Sequence, residues 1–178
     1  NISDDPATLD SYAFQWAAEL SQRGSKYMPR PKAALMPGST EEVQAIIRTC
    51  NRYKIKCKAY STGWGSYAAP ITEGVIQLDL RRMDRILEID EKNMFAVVEP
   101  YATGAQLQAE LMKIGLNCHM IGAGAGCSLL ASATSFAGHG PDSIFMGHSS
   151  ENLLALEWVM PTGEILRTGA SCAGGSWI

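Results

Sequence analysis

The sequence predicts an α+β domain. Three stretches repeat apolar residues at helical spacing, six short apolar and β-branched runs lie between and after them, and the two kinds do not alternate as regular βαβ units. The first helix starts at Asp5-Pro6, where a carboxylate takes a free N–H and proline fills a position that needs none. Leu9, Tyr12, Ala13, Trp16 and Leu20 then share a face, and a stop is expected near Gly24. After an extended 28-MPRPKAALMPG-38, the run 39-STEEVQAIIRTCNRY-53 places Ser39 and Glu42 in capping-box spacing ahead of Val43, Ile46, Ile47 and Cys50. The run 103-TGAQLQAELMKIG-115 repeats the device with Thr103 and Gln106, carries Leu107, Leu111 and Ile114 as its stripe, and stops at Gly115. Strands are predicted over 56–60, 74–80, 86–89, 95–100, 154–160 and 164–169, the last two flanking a turn at Pro161-Thr162-Gly163.

Composition narrows the function classes. A chain of 178 residues with 46% hydrophobic and 19% charged residues suits one ordinary domain with its own core. The net charge of −3 argues against a nucleic-acid partner, because 29-PRPK-32 and 81-RRMDR-85 are too short and mixed to track a phosphate backbone. Five cysteines, an odd number without any C-x-x-C, predict neither a disulfide framework nor a zinc knuckle, and point to a reducing, cytoplasmic compartment. The N-terminus, 1-NISDDPATLD-10, is acidic and is not a signal peptide. From Ile114 to Pro141 there is no Asp, Glu, Lys or Arg, yet 121-IGAGAGCSLLASATSFAGHG-140 is too rich in glycine and hydroxyls for a bilayer helix. A lining of backbone and small residues around a ligand is predicted instead.

The stretch 60-YSTGWGSYAAP-70 carries Gly63-x-Gly65-x-x-Ala68, a loose dinucleotide fingerprint. A Rossmann turn must lead at once into a helix, whereas Pro70 and the strand at 74–80 leave no room for one. Two alternatives remain: an anion-binding concavity of backbone N–H groups, helped by Ser61, Thr62 and Ser66, or a hairpin-like connection built from small residues for steric reasons.

The order of these motifs resembles a known family. A capped helix after Pro37 is followed by a strand into 61-STGWGS-66, then 69-AP-70, 74-GVIQLDLRRMDRILEID-90, 96-AVVEPYATGAQLQAEL-111, a small-residue segment and 155-ALEWVMPTGEILRTG-169. This resembles the FAD-binding domain of the vanillyl-alcohol oxidase family, the PCMH-type flavoprotein fold, nearest the branch of vanillyl-alcohol oxidase and 4-cresol dehydrogenase. The resemblance implies two α/β subdomains with FAD between them, over residues 35–170, behind a helix and lead-in at 1–34. Residues 171–178 would begin a connection to a C-terminal cap domain, making the chain part of a longer or multi-chain enzyme.

The same resemblance implies that Ser61, Thr62, Gly63, Trp64, Gly65 and Ser66 wrap the FAD pyrophosphate. Ser128, Ala131, Ser132, Thr134 and Ser135 would form a second lining, followed by Gly138 and Gly140, with Ile165 on an apolar floor near the adenine and ribose. The implied activity is oxidation of a hydroxylated small molecule, a phenol or 2-hydroxy acid, by hydride transfer to the flavin, which oxygen or an electron-acceptor protein reoxidises. The expected partners are the substrate, the remainder of the enzyme and further copies in a homo-oligomer, with no membrane span. The alternative is an FAD-holding electron-transfer subunit without its own substrate pocket. The first loop lacks the histidine that the family often uses for covalent attachment, which excludes attachment there. Cys127 lies close to where some members of the family place a cysteinyl link to the flavin, but in the branch resembled here that position is usually unlinked, and a buried structural thiol is expected. His139 and His148 are expected as turn and surface histidines, with contact to flavin or substrate as the other reading. Cys118, His119 and these two match no familiar metal spacing, so no metal is expected. The resemblance implies that a C-terminal cap domain supplies most substrate-binding and acid–base residues, so no catalytic residue is named from this sequence.

Overall fold

In the computed structural model, which describes residues 1–14, 27–65, 68–120, 124–135 and 138–169, the Asp5 carboxylate accepts from the Thr8 N–H at 2.8 Å and opens α1 (Pro6–Ala13). The helix ends well before Gly24. Phe14 turns extended (φ −65°, ψ 133°) and bridges Tyr27 antiparallel, while the Met28 N–H donates to the Ala13 carbonyl at 2.8 Å. Strand-type pairing and the edge-to-face Phe14–Tyr27 rings, 5.9 Å apart, thus take over from helical bonding. Trp16, Leu20 and Gly24 lie outside the described residues.

The chain divides into two units, 1–82 and 83–178. The first unit is a four-stranded sheet in the order β1 (Ile2–Ser3), β2 (Ala33–Leu35), β4 (Val75–Asp79), β3 (Lys56–Tyr60). β1 pairs antiparallel with β2, while β2 and β3 both lie parallel to β4. Between β2 and β3 runs α2 (Thr40–Tyr53). Ser39 accepts from the Glu42 N–H at 3.3 Å, but the Glu42 carboxylate turns to the Gly38 N–H at 2.7 Å, so only half of the predicted capping box forms. Lys54 stops the helix in the left-handed region (φ 55°), and the Ile55 N–H reaches back to the Cys50 carbonyl at 2.8 Å.

Because β3 and β4 are parallel, residues 61–74 must carry the chain from the end of one strand back to the start of the next. A parallel pair needs such a crossover, usually helical. None of the described residues of 61–74 is helical, and the hairpin-like alternative is overturned. One face of the sheet meets α1, with Leu9, Tyr12 and Ala34 in the core and Tyr60 packed against them. Asp79, fully buried, accepts from the Tyr12 hydroxyl at 2.6 Å, the Arg81 guanidinium at 2.7 Å and the Arg81 N–H at 2.9 Å, so its charge is compensated in place.

The second unit begins with an antiparallel pair, β5 (Ile86–Asp90) and β6 (Phe95–Val98), irregular between Ile86 and Glu88. Glu99 locks its open end. It takes Arg85 bidentately, at 2.7 and 3.1 Å, and also accepts the Arg85 N–H at 2.8 Å. Then comes α3 (Gly104–Met112), with the full Thr103/Gln106 capping box as predicted. Next are α4 (Leu129–Ser135), the short α5 (Ser143–Met146) and a 3₁₀ turn at Ser149–Asn152. β7 (Ala155–Val159) and β8 (Ile165–Gly169) form the predicted hairpin, turned by Gly163 at φ 81°. Among the described residues, no helix is long and apolar enough to cross a membrane.

Candidate functional site

The predicted pyrophosphate loop leaves β3 at Ser61. Gly63 holds φ 74°, and a Cβ added there would run into the Tyr60 hydroxyl, with the ring Cζ only 2.8 Å away. Tyr60 cannot readily yield, since its ring packs edge-to-face on Tyr12 at 5.0 Å. Glycine is therefore required at 63 on two counts, conformation and space. Ser61, Thr62 and Gly65 are partly buried, Trp64 is 54% exposed, and Ser66 lies outside the described residues. The loop then tightens into a turn, with the Ala68 N–H donating to the Gly65 carbonyl at 3.0 Å, and runs into the buried pair Ala69 and Pro70.

Two polar side chains of the sheet fasten the crossover from beneath. The Lys58 ammonium donates to the Ala69 carbonyl at 2.7 Å, and the Gln77 side-chain amide donates to the Ala68 carbonyl at 3.0 Å. Lys58 and Gln77 are register partners on adjacent strands, which puts both on one face. Gln77 is 0% exposed and its Oε1 has no partner among the described residues. Burial holds the Lys58 ammonium below the usual lysine range. Neither residue was among the predicted site residues. The available signal was a lysine and a glutamine inside two of the predicted strands.

The second predicted lining falls on α4 (Leu129–Ser135), with Ser128 just before it and Gly138 and Gly140 after it. The Ser128 hydroxyl accepts from the Ala131 N–H at 3.1 Å, as an N-cap does, and donates to the Pro100 carbonyl at 2.7 Å. Ser132 donates to the Ser128 carbonyl at 2.7 Å, and Thr134 to the Leu130 carbonyl at 2.8 Å. Each hydroxyl has one proton to give, so these three present lone pairs and small volume rather than donors. Ala131 is partly buried on the same helix, and Ser135 ends it. The segment before the helix is tied to α3, the Gly104 N–H donating to the Cys127 carbonyl at 3.1 Å and the Ala105 N–H to the Ala125 carbonyl at 2.8 Å. With Gln106 and Leu107 bonded to Thr103, the first four N–H groups of α3 are all taken, and its N-terminus offers nothing to a phosphate.

Gly138 (φ 58°) is buried, and its carbonyl accepts from the Ser149 N–H at 3.0 Å and faces the His119 Nε2 at 3.3 Å. A Cβ at Gly140 would strike the Met120 carbonyl. His119 is 6% exposed, so the buried histidine of this region is one the sequence did not single out for flavin or substrate. His139 is exposed, with its ring 4.2 Å from that of His148, and the Nδ1 atoms of His119 and His148 are buried without a partner among the described residues. No group of three or more His, Cys, Asp or Glu among the described residues is arranged to hold a metal ion. Cys127 is buried, and burial pushes its thiol up, away from the thiolate that a covalent link would need. Ile165 lies opposite Val159 in the hairpin and is, like Trp158, Met160 and Leu166, partly exposed. A shallow hollow of about 670 Å³ between β5 and α3 contains none of the predicted site residues.

Residues 31–169 match the FAD binding domain family. The chain belongs to that family. Its cofactor is FAD, and its fold is that of the PCMH-type flavoproteins. The 4-cresol dehydrogenase [hydroxylating] flavoprotein subunit of Pseudomonas putida is 30% identical over 150 residues, 82% of this chain and 28% of the relative. A probable mitochondrial D-lactate dehydrogenase of Danio rerio is 30% identical over 139 residues, 78% of this chain and 28% of the relative. Among solved structures, p-cresol methylhydroxylase with substrate bound superposes with a TM-score of 0.82 at 26% identity, covering 99% of this chain and 34% of that one. The chain spans about a third of the length of the curated relatives it matches. The residues present fit the group. The loop at Gly63 is kept open by a glycine that admits no side chain, and residues 114–141 contain no Asp, Glu, Lys or Arg.

Proposed function

We propose that this chain is the FAD-holding part of an oxidoreductase that oxidises a hydroxylated small molecule, of the phenol or 2-hydroxy acid class. The observation that carries the cofactor half of this proposal is the crossover at 61–74, none of whose described residues is helical, with Gly63 fixed in the left-handed region against Tyr60. In it, Ser61, Thr62, Gly63, Trp64, Gly65 and Ser66 meet the pyrophosphate through backbone N–H groups. Ala131, Ser132, Thr134, Ser135 and Gly138 give the flavin a close, uncharged surface behind the Ser128 cap, and Ile165 gives the adenine and ribose an apolar one. When bound, FAD accepts the hydride that the substrate carbon loses. The substrate half is supported by relatives named for 4-cresol and D-lactate. Residues that bind substrate and take its hydroxyl proton are assigned to the remainder of the enzyme.

A second reading, in which this chain belongs to one subunit of a multi-chain assembly that passes electrons to a protein acceptor, is favoured by the Pseudomonas putida relative being named a flavoprotein subunit. A cytoplasmic setting agrees with the four described cysteines being free thiols.

Anaerobic titration of the complete, flavin-loaded protein with 4-alkylphenols and with D-2-hydroxy acids tests the proposal. Bleaching of the oxidised-flavin absorbance by at least one class is expected. A flavin that dithionite reduces but that no member of either class reduces would overturn the substrate assignment and leave the cofactor assignment standing.

A further inference from the structure

We propose that Lys58 is a cofactor-positioning residue, whose ammonium beneath the 61–74 crossover both pins the loop and supplies the positive charge that balances the FAD pyrophosphate. The proposal rests on the assignment of residues 61–66 as the pyrophosphate loop.

A dianion held in a partly desolvated cradle needs a nearby countercharge. Neither predicted lining contains one. Residues 59–74 include no Lys or Arg and one acid, Glu73, and residues 114–141 include no charged side chain at all. Lys58 is a cation on the face that the crossover covers, and unlike the exposed Lys56 it reaches the crossover, its ammonium 2.7 Å from the carbonyl of Ala69, next to the turn that closes from Ala68 to Gly65. It forms no ion pair among the described residues. The charge is thus left available, while one of its three protons holds the loop.

The surrounding groups do not compete for it. On the same face stand Lys56 and Tyr60 of β3, Gln77 and Asp79 of β4, and Tyr12 of α1, with Glu73 exposed in the crossover. Asp79 is engaged by Arg81 and Tyr12, and Gln77 is uncharged and bonded to Ala68. A lysine in the middle of a parallel strand loses hydration that a leucine would not lose, and as a mere hook for one carbonyl it would be poorly chosen beside Gln77, which does the same without a charge.

The test is the dissociation constant of FAD, measured on the complete, flavin-free protein from about pH 7 to about pH 10 for wild type, Lys58→Met, Lys58→Gln and Lys58→Arg, with circular dichroism of each protein as a check on folding. Near neutral pH, Lys58→Met and Lys58→Gln are expected to weaken FAD about tenfold or more, and Lys58→Arg to stay within about threefold. Wild-type affinity should fall as pH rises through the alkaline range where the half-buried ammonium deprotonates. Lys58→Arg should move that fall out of range. If Met and Gln variants fail to fold, the comparison of wild type with the arginine variant still decides. Lys58→Gln binding as wild type, or wild type and Lys58→Arg sharing one pH profile, overturns the proposal and leaves the pyrophosphate loop in place. Folded wild-type protein without measurable FAD binding overturns both.

Discussion

At Gly63 two separate constraints coincide. The left-handed φ costs an L-residue roughly 1–3 kcal/mol, most for a β-branched one, and the Cβ would displace a Tyr60 ring wedged against Tyr12. Gly63→Val is therefore expected to lose FAD and about that much stability, with Gly63→Ala intermediate, read as flavin-to-protein ratio and as the urea midpoint. Full flavin content in Gly63→Val would remove this loop from the site. The glycine itself was legible in the sequence, because a G-x-G between two strands calls for close backbone approach. Its neighbours were not. That Tyr60 fills the space beside Gly63, or that Gln77 and Lys58 reach up to the carbonyls of Ala68 and Ala69, depends on strand register, which local sequence does not encode. That Ser132 and Thr134 give their protons to their own helix was not legible either, yet a hydroxyl in a helix has a backbone carbonyl one turn back within reach and takes it first.

Among the elements, the best-predicted were those with chemical punctuation. Ser39 and Thr103 mark the starts of α2 and α3, and the strands at 56–60, 86–90 and 155–159 follow the apolar runs closely. α4 was missed because LLASATS has no polar face to set a helical period against, and α1 ends early because pairing with Tyr27 outcompetes its apolar stripe. The parallel pairing of β3 with β4 was hidden for another reason. A glycine-containing connection without a helix looks the same in sequence whether it turns back or crosses over. The Val-Val-Glu-Pro run contributes through Glu99, which closes the β5–β6 pair on Arg85. Burial pushes the Glu99 carboxyl up, but the hydrogen bonds and charge of Arg85 more than offset it and hold it below the ordinary 4.5. A depressed carboxylate contributes stability above its unfolded value and loses it as pH falls through the folded one. Glu99→Gln should accordingly destabilise the protein by about 1–3 kcal/mol near neutral pH. The gap from wild type should narrow once pH drops below the folded value. Thermal melts across that range check it, and a gap independent of pH would show that shape rather than charge is what Glu99 provides.

For the whole molecule, each of the two units carries its own stretch of backbone and small residues on its own scaffold. In the first, a mainly parallel sheet carries a crossover of which no described residue is helical, the segment proposed to meet the pyrophosphate. In the second, a short helix capped by Ser128 follows a segment tied to the start of α3, within a stretch of sequence, 114–141, that contains no Asp, Glu, Lys or Arg. Both are arrangements of backbone and small residues that make sense around a large, doubly charged cofactor and little sense as apolar core. The most direct measurement is the visible absorption spectrum of the purified complete protein, before and after acid precipitation. The prediction is a pair of oxidised-flavin bands that pass into the supernatant, since the first loop has no histidine and Cys127 is a buried, protonated thiol. Colour that stays in the pellet would contradict noncovalent binding. A colourless, folded protein that takes up no added FAD would contradict the account at its centre.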